Sequence, residues 1–310
     1  MECRKEWCSR MKDIIIIGGG PAGLSAAIYG VRAGKSVLVL EGNMIGGQIL
    51  NTPEIENYPG IPHISGFEFV TGLQQQATDL GAELAYEAVT SVEDLGDHKV
   101  VHTAQNAYPC KAVILATGAK NRPMGLEKEK ELIGKGISYC ATCDGMFYRG
   151  KVTAVYGGGN TALEDAAYLS NVCEKVYLIH RRDQFRGDEQ DVERLRKRDN
   201  VVFLLDSVID SLKAEDRLTG LVLRNVKTGE LTELAVDGLF VAIGQMPVND
   251  VFSNITDLDG KGYIQAGEDC RTNTPGVFTA GDCRTKDVRQ LTTAAADGAV
   301  AALAAAAYIG

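Results

Sequence analysis

The sequence predicts an α/β fold built from two similar three-layer units, one inserted into the other. Three observations carry this. Two distant segments repeat one grammar: a β-branched strand, a run of glycines, a helix and a second strand. Glycine is over-used, at 35 of 310 residues, as tight strand-to-helix turns require. The length also fits about two domains of ordinary size.

The elements follow in chain order. Residues 1–10 (MECRKEWCSR) show no periodicity and read as an N-terminal appendage. Residues 13–17 form a short apolar strand ending on glycines, residues 24–31 have helical spacing, and residues 36–40 form a second strand. Several short strands follow over residues 84–115. The grammar then restarts, with a strand at 152–156, a glycine turn, a helix at 163–170, a strand at 176–179 and a charged helix near 189–198. Residues 201–236 read as short antiparallel strands with turns at 215–216 and 228–229. Two Gly/Pro-bearing crossings, residues 117–123 and 244–249, serve as linkers. The tail has no glycine-turn unit of its own and completes the first domain. The expected boundaries are 11–118 with 247–310 for the first domain and 119–246 for the insert.

Composition narrows the function. Lysine and arginine total 32 against 41 acidic residues, so a net charge of −9 offers no basic field for nucleic acid or anionic lipid. No uninterrupted run of about 18 apolar residues is present. The Ala-rich segment 294–309 is broken by Asp297 and Gly298 and reads as a buried helix. Eight cysteines without a secretion signal argue against a disulfide framework and for a reducing, cytoplasmic setting.

Gly18, Gly20 and Gly23 form G-x-G-x-x-G after a strand and opening a helix, the Rossmann-like dinucleotide fingerprint, with a tight structural turn as the alternative. Its glycines let the backbone approach a pyrophosphate at the helix N-terminus. Glu41, ending the next strand, is placed to accept from a ribose hydroxyl. The second copy is Gly157, Gly159 and Ala162. Its following strand ends not in an acid but in His180, Arg181 and Arg182, with Arg186 beyond. Guanidinium groups there suit a 2′-phosphate, which favours NADP over NAD. A solvated basic patch is the alternative.

Cys140-Ala-Thr-Cys143 is the only C-x-x-C. Two thiols at that spacing can close into a reducible disulfide. A zinc site would need a second Cys or His pair at suitable spacing, and ordinary core cysteines are the remaining reading. Asp144 follows directly, either as half of an Asp-Gly turn or as a proton shuttle.

GGGPAG, CATCDG, GGGNTALEDA, HRRDQFR and TAGDC…RQLTTAAADG occur in that order over residues 11–310. Together they resemble the low-molecular-weight, bacterial-type NADPH-dependent thioredoxin reductases. The resemblance implies an FAD domain interrupted by an NADPH domain that carries the redox disulfide, and a homodimer acting on thioredoxin or a similar small redoxin. By motif, it implies that Gly18, Gly20, Gly23, Glu41, Gly47, Gln48, Asn57, Asp282, Arg289, Gln290 and Leu291 hold FAD. It likewise assigns Gly159, Asn160, Thr161, His180, Arg181, Arg182 and Arg186 to NADPH. Cys143 would face the flavin, Cys140 would attack the partner disulfide, and Asp144 would be the acid. Two features depart from the pattern: residues 1–10 have no counterpart, and Met146 precedes Phe147 where the family often has two aromatics. A dithiol oxidase or a ferredoxin-linked reductase should lack the His-Arg-Arg run, and a non-catalytic sensor would not need the C-x-x-C. Since the disulfide and the nicotinamide site share one insert, the resemblance implies that the insert rotates during turnover.

Overall fold

The computed structural model describes residues 11–52 and 54–310; the expected appendage, with Cys3 and Cys8, lies outside them. Two units emerge, one made of the described residues up to Lys120 together with Met246–Gly310, the other of Asn121–Gln245.

The first unit opens with β1 (Lys12–Ile17), α1 (Pro21–Arg32) and β2 (Val37–Leu40). It continues with α2 (Gly66–Asp79), β3 (Glu83–Ala85), β4 (Val89–Asp94), β5 (Lys99–Thr103) and β6 (Ala107–Leu115). The sheet order is β3-β2-β1-β6-β5-β4. β1 pairs in parallel with β2 and β6, in register Ile14 with Val37 and with Ala112. The four isoleucines of β1 are buried on both faces, which explains their near-continuous apolar run. α2 was not anticipated from the sequence. It starts in a capping box, with Ser65 and Glu68 each accepting from the other's backbone N–H.

The chain leaves this unit through β7 (Ala119–Asn121). The second unit contains β8 (Ile137–Ser138), the short helix α3 (Ala141–Asp144), β9 (Val152–Gly157), α4 (Asn160–Leu169), β10 (Lys175–Ile179), α5 (Glu189–Arg196) and β11 (Val201–Leu204). Then come β12 (Ser207–Ala214), β13 (Leu218–Asn225), β14 (Leu231–Ala235) and β15 (Gly238–Ala242). The strands order β11-β10-β9-β15-β8 in an all-parallel sheet, with β12-β13-β14 forming a separate antiparallel sheet. Residues 201–204 therefore differ from the antiparallel expectation. β11 pairs in parallel with β10, Val176 opposite Val201, because α5 provides the crossover between them.

The return crossing is β16 (Gln245–Pro247), which pairs with β7 in a two-stranded ribbon. The first unit is completed by β17 (Val277–Thr279), parallel to β6, and by α6 (Leu291–Ile309). α6 packs on α1 at close range, and Gly298 makes this possible, since a Cβ there would sit 2.1 Å from the Ala22 carbonyl oxygen. Only one stripe of α6 is buried, Asp297, Gly298, Ala301, Ala302 and Ala305, while Val300, Leu303 and Tyr308 face outward. By length and composition α6 could cross a bilayer. Its packing on α1 and its buried, ion-paired Asp297 make it a core helix of this unit.

Candidate active site

In the first unit the glycine turn divides its labour. Gly18 has φ +110°, and a Cβ there would lie 2.3 Å from the Ala116 carbonyl oxygen. At Gly23 a Cβ would be 1.9 Å from the Gly18 carbonyl oxygen, so helix and strand could not close. Gly20 caps α1, and the nearest atom to its would-be Cβ is 4.0 Å away. Two glycines thus shape the turn, and the open one leaves backbone N–H groups accessible to a phosphate. The Glu41 carboxylate accepts from Gly19 N and Asn43 N, each at 2.8 Å, and so holds the strand end against the turn.

The other first-unit candidates come from distant parts of the chain. Gln48, in the 3-10 turn that begins at Gly47, donates from its side-chain amide to the Ala119 carbonyl. Asn57 Nδ2 donates to Gln290 Oε1 at 3.4 Å, and Gln290 caps α6 just before Leu291. The Arg289 guanidinium stacks 4.2 Å over the Tyr263 ring and donates to the Arg284 carbonyl at 3.2 Å. Asp282 lies in the turn between β17 and α6, and burial raises its carboxyl pKa against the pull of Lys286 and Arg289. Its Oδ1 is buried with no hydrogen-bond partner among the described residues. An orphaned buried acceptor beside an open glycine cradle fits a hydroxyl-bearing dinucleotide.

Sequence reasoning missed the support for that turn. Asp297 accepts from Arg284 Nε, Lys286 Nζ and the Gly281 backbone N–H, each at 2.9 Å. Asn249, fully buried, donates to the Gly262 and Cys283 carbonyls and accepts from the Thr117 hydroxyl. A lone acid in an alanine-rich helix was the available signal.

In the second unit the glycines repeat the division. Gly157 would clash with the Ala242 carbonyl oxygen at 2.3 Å, and Gly159, the cap of α4, has nothing within 4 Å. Asn160 Oδ1 accepts from Asp188 N at 3.0 Å, and Thr161 is exposed. His180 differs from a solvent-facing ligand. It is 4% exposed, stacks on Phe185 and pairs through Nε2 with the Gln184 carbonyl oxygen at 3.1 Å. A Cβ on Gly158 would meet its ring at 2.1 Å, so the imidazole backs the glycine turn. Burial, aided by the three arginines, lowers its pKa and favours the neutral ring. The Arg186 N–H donates to the Gly158 carbonyl at 2.7 Å, which ties the arginine loop to the turn. Arg181, Arg182 and Arg186 are exposed, and among the described residues none of their guanidiniums forms an ion pair.

Cys140 and Cys143 form a disulfide at the start of α3, with Cα atoms 5.3 Å apart. Asp144 Oδ2 accepts from the Ser138 hydroxyl at 2.6 Å, while Oδ1 is buried without a partner among the described residues. Burial raises the Asp144 pKa and the Ser138 hydrogen bond only partly offsets this. Tyr139, next to Cys140, donates to Glu129 Oε1 at 2.5 Å. Glu129 also gathers the backbone N–H groups of Met124, Gly125 and Leu126, which fixes the approach to the disulfide. Neither Ser138 nor Glu129 stood out in the sequence. Cys110, Cys173, Cys270 and Cys283 are free and buried.

Two nucleotide-type turns, one with free cations at its strand end, and a C-x-x-C disulfide beside a buried acid define a flavin- and nicotinamide-type disulfide oxidoreductase. The chain belongs to the pyridine nucleotide-disulphide oxidoreductase family, whose model matches residues 12–298. Within that class, several of its relatives are thioredoxin reductases. That of Treponema pallidum (strain Nichols) is 43% identical, over 96% of this chain and 97% of its own. The crystal structure of thioredoxin reductase from Streptococcus pyogenes MGAS5005 is 41% identical, covers 96% of this chain and 98% of its own, and superposes with a TM-score of 0.91. The Lactococcus lactis thioredoxin reductase, solved in an FR conformation, is 42% identical, with coverages of 96% and 99% and a TM-score of 0.67.

Proposed function

We propose that this chain is an FAD-dependent NADPH:disulfide oxidoreductase that reduces thioredoxin or a similar small redoxin through Cys140 and Cys143. The observation that carries the reading is the disulfide at the head of α3 with the buried carboxyl of Asp144 beside it. When bound, NADPH would supply the hydride and FAD its acceptance and onward electron transfer, which no side chain here can provide.

The chain's own residues bind, orient and move protons. Gly18, Gly20, Gly23, Glu41, Gly47, Gln48, Asn57, Asp282, Arg289, Gln290 and Leu291 would hold FAD in the first unit, with the free Oδ1 of Asp282 accepting a hydroxyl. In the second, Gly159, Asn160 and Thr161 would hold the NADPH pyrophosphate, and Arg181, Arg182 and Arg186 its 2′-phosphate, with His180 supporting the turn from behind. Cys140, as thiolate, attacks the partner disulfide; a mixed disulfide forms and the partner's first sulfur leaves. Cys143 then resolves it, and Asp144 in its neutral form supplies a proton to a leaving sulfur. The protein acts as a homodimer in the cytoplasm on this reading.

The test is spectroscopic. Bound flavin should bleach anaerobically with NADPH and recover its colour on addition of oxidised thioredoxin. Cys140→Ser should abolish the recovery and leave the bleaching intact. Recovery at full rate in Cys140→Ser would remove the disulfide from the mechanism.

A further inference from the structure

Ser138 decides which oxygen of Asp144 is available. It lies on β8, 3% exposed, two residues before the disulfide. Its Oγ stands 2.6 Å from Asp144 Oδ2 and accepts from the Cys140 backbone N–H at 3.1 Å. The Cys140 carbonyl oxygen is also near, at 3.3 Å, but a hydroxyl has a single proton to give. The shorter contact to the carboxyl takes it. Oδ2 is thereby occupied as an acceptor, and Oδ1, buried and partnerless, is left to carry the acid's proton.

We propose that Ser138 is the positioning residue for proton transfer by Asp144, locking Oδ2 so that Oδ1 presents the proton. The inference rests on the disulfide-reductase reading. When two electrons from the NADPH-driven reaction open the Cys140–Cys143 bond, both sulfurs depart as thiolates. Asp144 gives the Oδ1 proton to one of them, leaving one thiol, one thiolate and a carboxylate that Ser138 still holds through Oδ2. Other titratable groups surround Asp144. Cys140 and Cys143 share its helix, and Tyr148 follows on the next turn, its pKa raised by burial and then by Asp144. Asp165, on α4, faces the Ala141 backbone N–H, and burial with Glu164 nearby pushes it up to about 7. Asp165 is therefore the group to be separated from Asp144.

The experiment uses the full-length flavin-loaded protein with Ser138→Ala, Ser138→Thr and Asp165→Asn. Thioredoxin reduction is followed across the neutral and alkaline range, with flavin bleaching by NADPH measured separately. Ser138→Ala should lower the thioredoxin plateau about tenfold. Its alkaline limb should move to higher pH, because a donor that favours the ionised carboxylate is gone. Ser138→Thr should restore both, Asp165→Asn should leave the limb in place, and bleaching should be unchanged throughout. Because a methyl added at a buried site can itself disturb folding, a second readout needs no turnover. The infrared carboxyl stretch assigned by its loss in Asp144→Asn should shift in Ser138→Ala. An unchanged plateau and limb, an unshifted band, or a limb that follows Asp165→Asn overturns the proposal. Failure of the unaltered protein to reduce thioredoxin overturns the underlying reading instead.

Discussion

Asp297 and Arg284 meet in a two-pronged pair, Arg284 Nε to Oδ2 and Nη2 to Oδ1, each at 2.9 Å. Arg284 is 1% exposed, so neither charge can turn to water for its partner. The same carboxylate holds the Gly281 N–H, one residue before Asp282. The pair therefore fixes the turn that presents the orphaned Asp282 oxygen.

Asp297→Ala should cost about 3–5 kcal/mol, because it strands a buried guanidinium and Lys286 beside it. Denaturant unfolding measures this, and flavin affinity should fall with it. Burial tends to raise the Asp297 pKa, but the bonds from Arg284 and Lys286 outweigh it and leave the group below the usual carboxylate range. A depressed folded pKa gives stability that is complete above the unfolded value and lost as pH falls through the folded one. The stability gap between the unaltered protein and Asp297→Asn should thus close in acid and stay constant near neutrality. A gap that persists unchanged in acid would show that Asp297 is not ionised in the folded state.

The glycines should separate by what a methyl would meet. Gly23→Ala should prevent the first unit from closing, seen as insoluble or flavin-free protein, since its Cβ falls 1.9 Å from backbone. Gly159→Ala has an extended φ of −101° and open space, so the fold should survive with an unchanged melting temperature. Its NADPH Michaelis constant should rise. Loss of folding in Gly159→Ala would mean that the glycine serves packing and not a ligand.

Arg181 and Arg182 should set nucleotide choice. Each charge-assisted contact to a 2′-phosphate is worth roughly 1.5–3 kcal/mol, or about ten- to hundredfold. Replacing both with glutamine should raise the Michaelis constant for NADPH steeply and leave that for NADH almost unmoved. Equal use of NADH and NADPH by the unaltered protein would reduce the three arginines to a surface patch.

Turnover should require rotation about the β7–β16 ribbon, where the described chain passes from one unit to the other and back. A crosslink joining the units should stop thioredoxin reduction even where it leaves NADPH bleaching of the flavin intact. Full thioredoxin turnover in the crosslinked protein would remove the hinge.

Both glycine turns, the C-x-x-C and the basic strand end could be read directly from the sequence. Each depends on residues a few positions apart, and the required backbone geometry restricts the residue type locally. Gly18, Gly20 and Gly23 stand at fixed offsets, and so do Cys140 and Cys143. What the chain could not reveal is assembled from distant positions. Asp297 reads as an interruption in an alanine helix until Arg284 and Lys286 are folded against it. His180, which by itself reads as structural more often than as a ligand, is a buried wall of the turn against Gly158, and only the fold names that partner. Residues 201–204 look like the neighbouring antiparallel strands, since a short apolar run does not state its partner, and only the crossover through α5 places β11 beside β10. The proton-bearing oxygen of Asp144 is likewise a tertiary property. Ser138 is six residues away, and only the packing of β8 against the disulfide turn brings its hydroxyl to one carboxyl oxygen and leaves the other bare.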